Sequence, residues 1–282
     1  MDLTEARRVM VGLAPLSQGK VFWMNNGASW YNDYSTYRTK SMRTIANEFA
    51  GIIPLELFTY ANYPQNVDGF MKYNVANSLL AGHGFWGNLE LMTRKERKWV
   101  GQQVAISKRI LPYTVDVNPV VIGKVGDSPE IYEVVNKEEA AGQIIVFSEK
   151  PFKREFSTEV KAGKLLAVLN QPFTIENDRL NLTFQSTENE SSFITFVLPN
   201  DNSGISMQSS TSPVKKVQQQ NNRLEYTVSA PGKQVVFWDK KQGNPILNDS
   251  KNAEIKVTEN NAFYRIELSV NKANIPVVIQ AE

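Results

Sequence analysis

From residue 115 onward the chain is a succession of short apolar runs cut by turn-formers, and this pattern leaves few folds open. Runs at 143–147, 165–169, 179–184, 193–198, 224–228, 235–238, 255–257, 263–270 and 275–279 read as strands. Asn177-Asp178, residues 200–204, Asn221-Asn222, Pro231-Gly232 and Gly243-Asn244 punctuate them, and these are residue types that accept the backbone angles of tight turns. Short strands with such punctuation predict antiparallel β-sandwich structure, as one module or as two dividing near residue 175. No internal repeat is visible.

Residues 1–113 follow a different pattern, in which strand-like runs alternate with helical ones. The apolar run Val21-Phe22-Trp23-Met24 passes directly into Asn25, Asn26, Gly27, Trp30 and Asp33, and a helical pattern to about residue 50 follows, with Met42, Ile45 and Phe49 on one face. A second strand is expected at 52–60, a helix at 67–81 and a third strand with its loop at 84–92. Thr93 and Glu96 then form a capping box that opens a helix to about Ile110, with Trp99, Gln103, Ile106 and Ile110 along one side. Strand, polar loop and helix in succession is how a (β/α)8 barrel builds one station of its active-site face. The expected fold class is therefore α/β followed by all-β: the last three or so units of a barrel over 1–113, then the antiparallel β region over 114–282. A closed barrel needs eight such units, so this part is expected to be incomplete or completed by another chain.

Composition removes several classes of function. With 31 basic and 29 acidic residues the formal charge is +2, and the basic residues gather only in pairs such as Lys215-Lys216 and Lys240-Lys241, so no nucleic-acid partner is expected. The chain has no cysteine, which excludes disulfides, thiolate catalysis and zinc–cysteine sites, and fits a reducing cytosol and a bacterial periplasm alike. His83, the single histidine, reads as structural; no metal and no other cofactor is expected. No apolar run reaches the roughly 18 residues of a membrane span. The opening MDLTEARRVM carries early acids and no apolar segment, so it is not a signal peptide; Leu3, Ala6 and Met10 place it in an amphipathic helix, as if cut from something longer.

Tryptophan and asparagine suit sugar recognition, because apolar ring faces stack on aromatics and hydroxyls need amide donors and acceptors. Asn25, Asn26 and Trp30 in the first loop and Trp86 and Asn88 in the third are the candidate substrate-binding residues. Asn25 and Asn26 also read as turn-forming amides, and Trp30 as a core residue. Asp33 reads either as the N-cap of the helix that follows or as a general acid/base. Glu90, two residues beyond Asn88 on a continuing strand, is the second carboxylate to consider; Asn62, Tyr63 and Asp68 flank the middle loop.

The order of these motifs resembles the C-terminal half of a clan D glycoside hydrolase, closest to the family 36 α-galactosidases. Trp30-Tyr31-Asn32-Asp33 is similar to the family's Trp-x-x-Asp segment, Gly84-Phe85-Trp86-Gly87 to its Gly-x-x-Gly segment, and Ser128-Pro129-Glu130-Ile131-Tyr132 with Gly142-Gln143-Ile144-Ile145-Val146-Phe147 to the start of its C-terminal sandwich. The resemblance implies that Asp33 is the general acid/base of a retaining hydrolase acting on a carbohydrate substrate, and a periplasmic or extracellular setting. The family's nucleophile, in a Lys-x-Asp context, has no counterpart in residues 1–20. Retaining hydrolysis needs two carboxyl groups about 5 Å apart, so the chain alone is expected to be inactive and to need the missing N-terminal half as its partner. The alternative is a non-catalytic carbohydrate-binding or scaffold protein whose β region carries the function; coplanar exposed aromatics, Trp238 among them, would mark its binding face. A third reading has the β region only bracing its neighbour.

Overall fold

The computed structural model describes residues 43, 46, 47, 71–80, 89–115, 117–200, 204–248 and 252–282. Two α-helices have described bounds, α1 (Met71–Leu80) and α2 (Arg94–Thr114). Sixteen strands follow: β1 (Val120–Ile122), β2 (Glu130–Asn136), β3 (Ala141–Ser148), β4 (Phe152–Glu159), β5 (Leu165–Leu169), β6 (Phe173–Glu176), β7 (Arg179–Ser186) and β8 (Ser191–Pro199). The rest are β9 (Ile205–Ser210), β10 (Val214–Gln220), β11 (Arg223–Val228), β12 (Gly232–Asp239), β13 (Pro245–Asn248), β14 (Ala253–Glu259), β15 (Phe263–Val270) and β16 (Ile275–Ala281).

Strands account for 52% of the structure, in two large sheets. One has nine strands in the order β1-β2-β3-β8-β5-β10-β11-β16-β13, the other seven in the order β14-β15-β12-β9-β6-β7-β4. This overturns the expected partial (β/α)8 barrel and, with it, the α-galactosidase-like architecture. A barrel is made of parallel strands each followed by a helix, whereas the pairings described here are antiparallel except for one bridge, Leu169 to Val214, between β5 and β10. The expected third strand at 84–92 also fails where it is described: Leu89–Leu91 is a single 3-10 turn with all three side chains exposed. Two leucines and a glutamate match a strand in composition, but here they close a turn, the Met92 N–H donating to the Leu89 carbonyl at 3.2 Å. The Arg97 guanidinium donates to the carbonyl of Met92 at 2.7 Å and reaches those of Leu89 and Glu90 at 3.4 and 3.5 Å.

The chain divides into two compact units: 1–134 with 144–152 and 186–194, and 135–143 with 153–185 and 195–282. In the first, α2 starts on the expected capping box, Glu96 N–H donating to Thr93 Oγ1 at 3.2 Å and Thr93 N–H to Glu96 Oε2 at 2.7 Å. The helix runs past Ile110 through Pro112 and buries Val100, Gln103, Ser107, Ile110 and Thr114, a stripe at alternating spacings of three and four. Every residue of β3 is buried, so both of its faces are covered, and Phe147 meets Tyr73 of α1 and Tyr132 of β2 edge-on at 5.1 and 6.2 Å.

In the second unit the alternation of β7, β11 and β12 puts Leu180, Leu182, Phe184, Leu224, Tyr226, Val228, Val236 and Trp238 inside. The β6–β7 hairpin closes on Asn177 and Asp178 at φ +50° and +57°, the left-handed pair a two-residue turn requires, with Glu176 paired to Arg179. Asp178 also accepts Ala162 N–H on Oδ1 at 2.9 Å.

Candidate functional site

Asp33, Asn25, Asn26, Trp30, Trp86 and Asn88, together with Asn62, Tyr63, Asp68 and His83, lie outside the described residues. Glu90 is described: it sits in the exposed 3-10 turn rather than on a strand face, so the strand geometry that would have aimed it beside Asn88 is absent. Trp238 is fully buried and its indole N–H donates to the Gly243 carbonyl at 3.0 Å, which removes it from any binding face. The aromatic pair that does reach the outer face of the seven-stranded sheet is Phe237 and Phe263, half-buried and stacked on each other at 4.4 Å. Each ring covers a face of the other, so the two do not form a coplanar platform.

Among the described residues, two groupings bring polar side chains together. The first is in the first unit and is sealed. Arg43 and Glu130, both fully buried, form an ion pair, and the guanidinium lies over the Phe147 ring at 4.2 Å and the Tyr73 ring at 5.0 Å. Glu130 Oε2 accepts Gly126 N–H at 2.7 Å, and Asn47 Nδ2 donates to the Gly123 carbonyl at 3.2 Å. Burial pushes the Glu130 carboxyl up, while Arg43 and the Gly126 N–H pull it back down. Burial works against the Arg43 charge as well, but neighbouring Tyr73 and Glu130 outweigh it and the guanidinium stays protonated. Burial also drives the Tyr73 phenol up to about 12, and the Tyr132 phenol upward too. With both charges shut off from solvent, this grouping holds a helix residue to β2 and has no route for a substrate. Its sequence sign was a carboxylate at the head of an apolar run, Glu130-Ile131-Tyr132.

The second grouping is open and belongs to the second unit. A hollow of about 540 Å³ lies over β4, β6, β7 and the end of β9. Phe156, Phe173 and Leu182 also border it, but they alternate with its polar residues along β4, β6 and β7 and turn their side chains into the core, and Pro172 adds an apolar rim. Antiparallel pairing sets Thr174 opposite Asn181 and Glu176 opposite Arg179, so the alternate residues of β6 and β7 share one face. Ser157 of β4 joins them: its hydroxyl donates to Asn181 Oδ1 at 2.5 Å, and Asn181 Nδ2 donates to the Arg179 carbonyl at 3.4 Å. The amide is thereby held in one orientation with a second N–H to offer. Thr211 Oγ1 accepts Lys233 N–H at 2.8 Å, which leaves its own hydroxyl proton to donate. Glu155, Glu176, Thr183 and Ser210 complete the lining. Nothing in the sequence marked this hollow, because its residues come from four strands and each strand alone reads as an ordinary polar outer face.

The described residues thus define a two-sheet, mostly antiparallel β protein with a hydroxyl-, amide- and carboxylate-lined hollow on its seven-stranded sheet. Among them there is no group of three His, Cys, Asp or Glu able to hold a metal, and no helix long and apolar enough to cross a membrane. No protein-family model matches the chain, and no curated protein matches it.

Proposed function

We propose that the β region of this chain is a non-catalytic carbohydrate-binding module. The observation that supports this best is the hollow over β4, β6 and β7, where hydroxyls, a fixed amide and carboxylates converge on one face of the sheet. A saccharide is a ligand of this chemistry: it presents hydroxyls that donate and accept, over short apolar patches of C–H. Because no stacking aromatic is exposed in the lining, hydrogen bonds carry the affinity, and a dissociation constant on the order of a millimolar follows from paying for desolvated polar groups at each contact. The test is a nuclear magnetic resonance titration with neutral oligosaccharides. Shifts should cluster at Ser157, Thr174, Asn181 and Thr211 and be lost in Asn181→Ala. Shifts elsewhere, or none at saturating sugar, would sink the proposal.

A second reading rests on Trp30-Tyr31-Asn32-Asp33, with a strand-like run before it and a helical one after. Here the chain contributes Asp33 as the acid/base of a retaining glycoside hydrolase whose nucleophile is supplied by a second segment or polypeptide. Turnover of aryl α- or β-glycosides reconstituted with that component, and abolished by Asp33→Asn, supports this reading. Turnover that survives Asp33→Asn rules it out.

A further inference from the structure

We infer that the hollow sorts its ligands by charge: it takes neutral saccharides, binds those carrying a free ammonium more tightly, and turns away uronates and sulfated sugars. This rests on the carbohydrate-binding reading and extends it to ligand class. Two carboxylates, Glu155 on β4 and Glu176 on β6, belong to the lining, and no lysine or arginine does. Neither carboxylate has an ion pair among the described residues. The nearest cation in the ladder, Arg179, stands opposite Glu176 but is outside the lining and pairs with Glu159 at 3.6 Å. Lys153, two residues before Glu155 on the same face of β4, is exposed and also outside the lining. The remaining polar groups, Ser157, Thr174, Asn181, Thr183, Ser210 and Thr211, are neutral and serve a hydroxyl as readily as an ammonium. Within the lining a ligand carboxylate would meet two like charges, the nearest cations, Arg179 and Lys153, standing outside it, and a ligand ammonium would meet two opposite ones.

The size of the effect follows from Coulomb's law. Two charges at about 5 Å through water-like surroundings change affinity by about tenfold between a neutral sugar and its charged counterpart, downward for the acid and upward for the amine. The hollow is open to solvent, so salt screens this sorting, and in about 1 M salt, where the screening length is about 3 Å, it should nearly disappear.

The test uses three oligomers of equal length: glucosamine, N-acetylglucosamine and galacturonate. Affinities are measured by calorimetry at low and at high salt, on the whole chain. The expected order is amine, then N-acetyl, then acid, with about tenfold steps. Glu155→Gln/Glu176→Gln should bring the three affinities within about twofold of one another, because the field that separates them is gone. Glu188→Gln, which removes an exposed carboxylate from the β7–β8 turn, should leave the order intact. Circular dichroism confirms that each variant is folded. Equal affinities in the wild type, or tighter binding of the acid, would overturn the charge reading while leaving the carbohydrate reading standing. Binding to none of the three would overturn both.

Discussion

Arg43→Met is the most informative single substitution in the first unit. It keeps most of the side chain's length and apolar stem while removing the charge that faces Glu130. Both partners are fully buried, so the carboxylate cannot turn to water when its partner is lost. Breaking a buried pair from one side costs about 3–5 kcal/mol, and the lost contact of the guanidinium with Phe147 and Tyr73 accounts for part of it. The cost should depend on pH with a definite sign. Without Arg43, only the Gly126 N–H opposes the upward push of burial on Glu130, so its folded pKa, already above the ordinary 4.5, rises further. A carboxyl raised in the folded state carries no penalty below its unfolded pKa and gains one as pH rises through the folded value. The deficit of Arg43→Met relative to wild type should therefore be full at pH 7 and shrink steadily toward pH 4.5. Adding Glu130→Gln to Arg43→Met removes the charge and leaves an under-bonded amide costing about 1–3 kcal/mol, so the double variant should be more stable at pH 7 than the single one. Urea unfolding followed by circular dichroism at several pH values measures all three proteins. A deficit that does not change with pH, or a double variant no better than the single, would refute the assignment of a buried charge pair.

Thr93→Ala removes one half of the capping box and should cost about 1 kcal/mol, seen as a lower urea midpoint and faster amide exchange in the first turn of α2. Gly204 has φ +71°, and a Cβ there would lie 2.5 Å from the Asp239 Cβ; Gly204→Ala should lose about 1–3 kcal/mol or more, and a neutral result by thermal unfolding would show that this turn yields easily. Tyr73, Tyr132 and Tyr226 all have phenols pushed up by burial, so their protonated forms favour the fold at ordinary pH and that stability is lost as pH rises through their folded values. Ultraviolet titration should show these three failing to ionise near pH 10 until the chain unfolds, and full ionisation of all ten tyrosines of the folded protein near that pH would contradict the burial.

Strands with a clean apolar period could be read in advance. Residues 165–169 and 263–270 coincide with β5 and β15, and Asn177-Asp178 sits in the turn its residue types favour. The strands that no expected run covers are β1, β2, β4, β6, β9, β10 and β13, some short and apolar, two strongly polar. The polar pair is β4 (FKREFSTE) and β10 (VKKVQQQ), with little β propensity of their own; β10 is strand because β11 pairs with it across the Asn221-Asn222 turn and β5 meets it at one bridge, of which only the second is a non-local cause. β4 closes one edge of the seven-stranded sheet, and its Lys153, Arg154, Glu155 and Glu159 discourage pairing with another chain while also disguising it as a loop. The Arg43–Glu130 pair joins positions 87 residues apart, and the hollow gathers residues from separate hairpins, so neither grouping has a local signature. Expecting a barrel came from treating alternating helix and strand patterns as parallel units, when the helices α1 and α2 follow one another with only a 3-10 turn described between them.

The place of β16 between β11 and β13 bears on how the protein is made. β11 and β13 both emerge from the ribosome ahead of the strand that joins them. Roughly fifty residues separate the start of β11 from the start of β16, about 3–10 s of synthesis at about 5–20 residues per second. Through that interval the β11 edge waits open, able to pair with a neighbouring nascent chain, and β13, once made, has no partner strand until β16 arrives. A premature stop before Ile275 would make the wait permanent, leaving the β11 edge open and β13 unpaired, so such products are expected to become clients of chaperones or to associate with one another rather than to persist as shortened folded proteins.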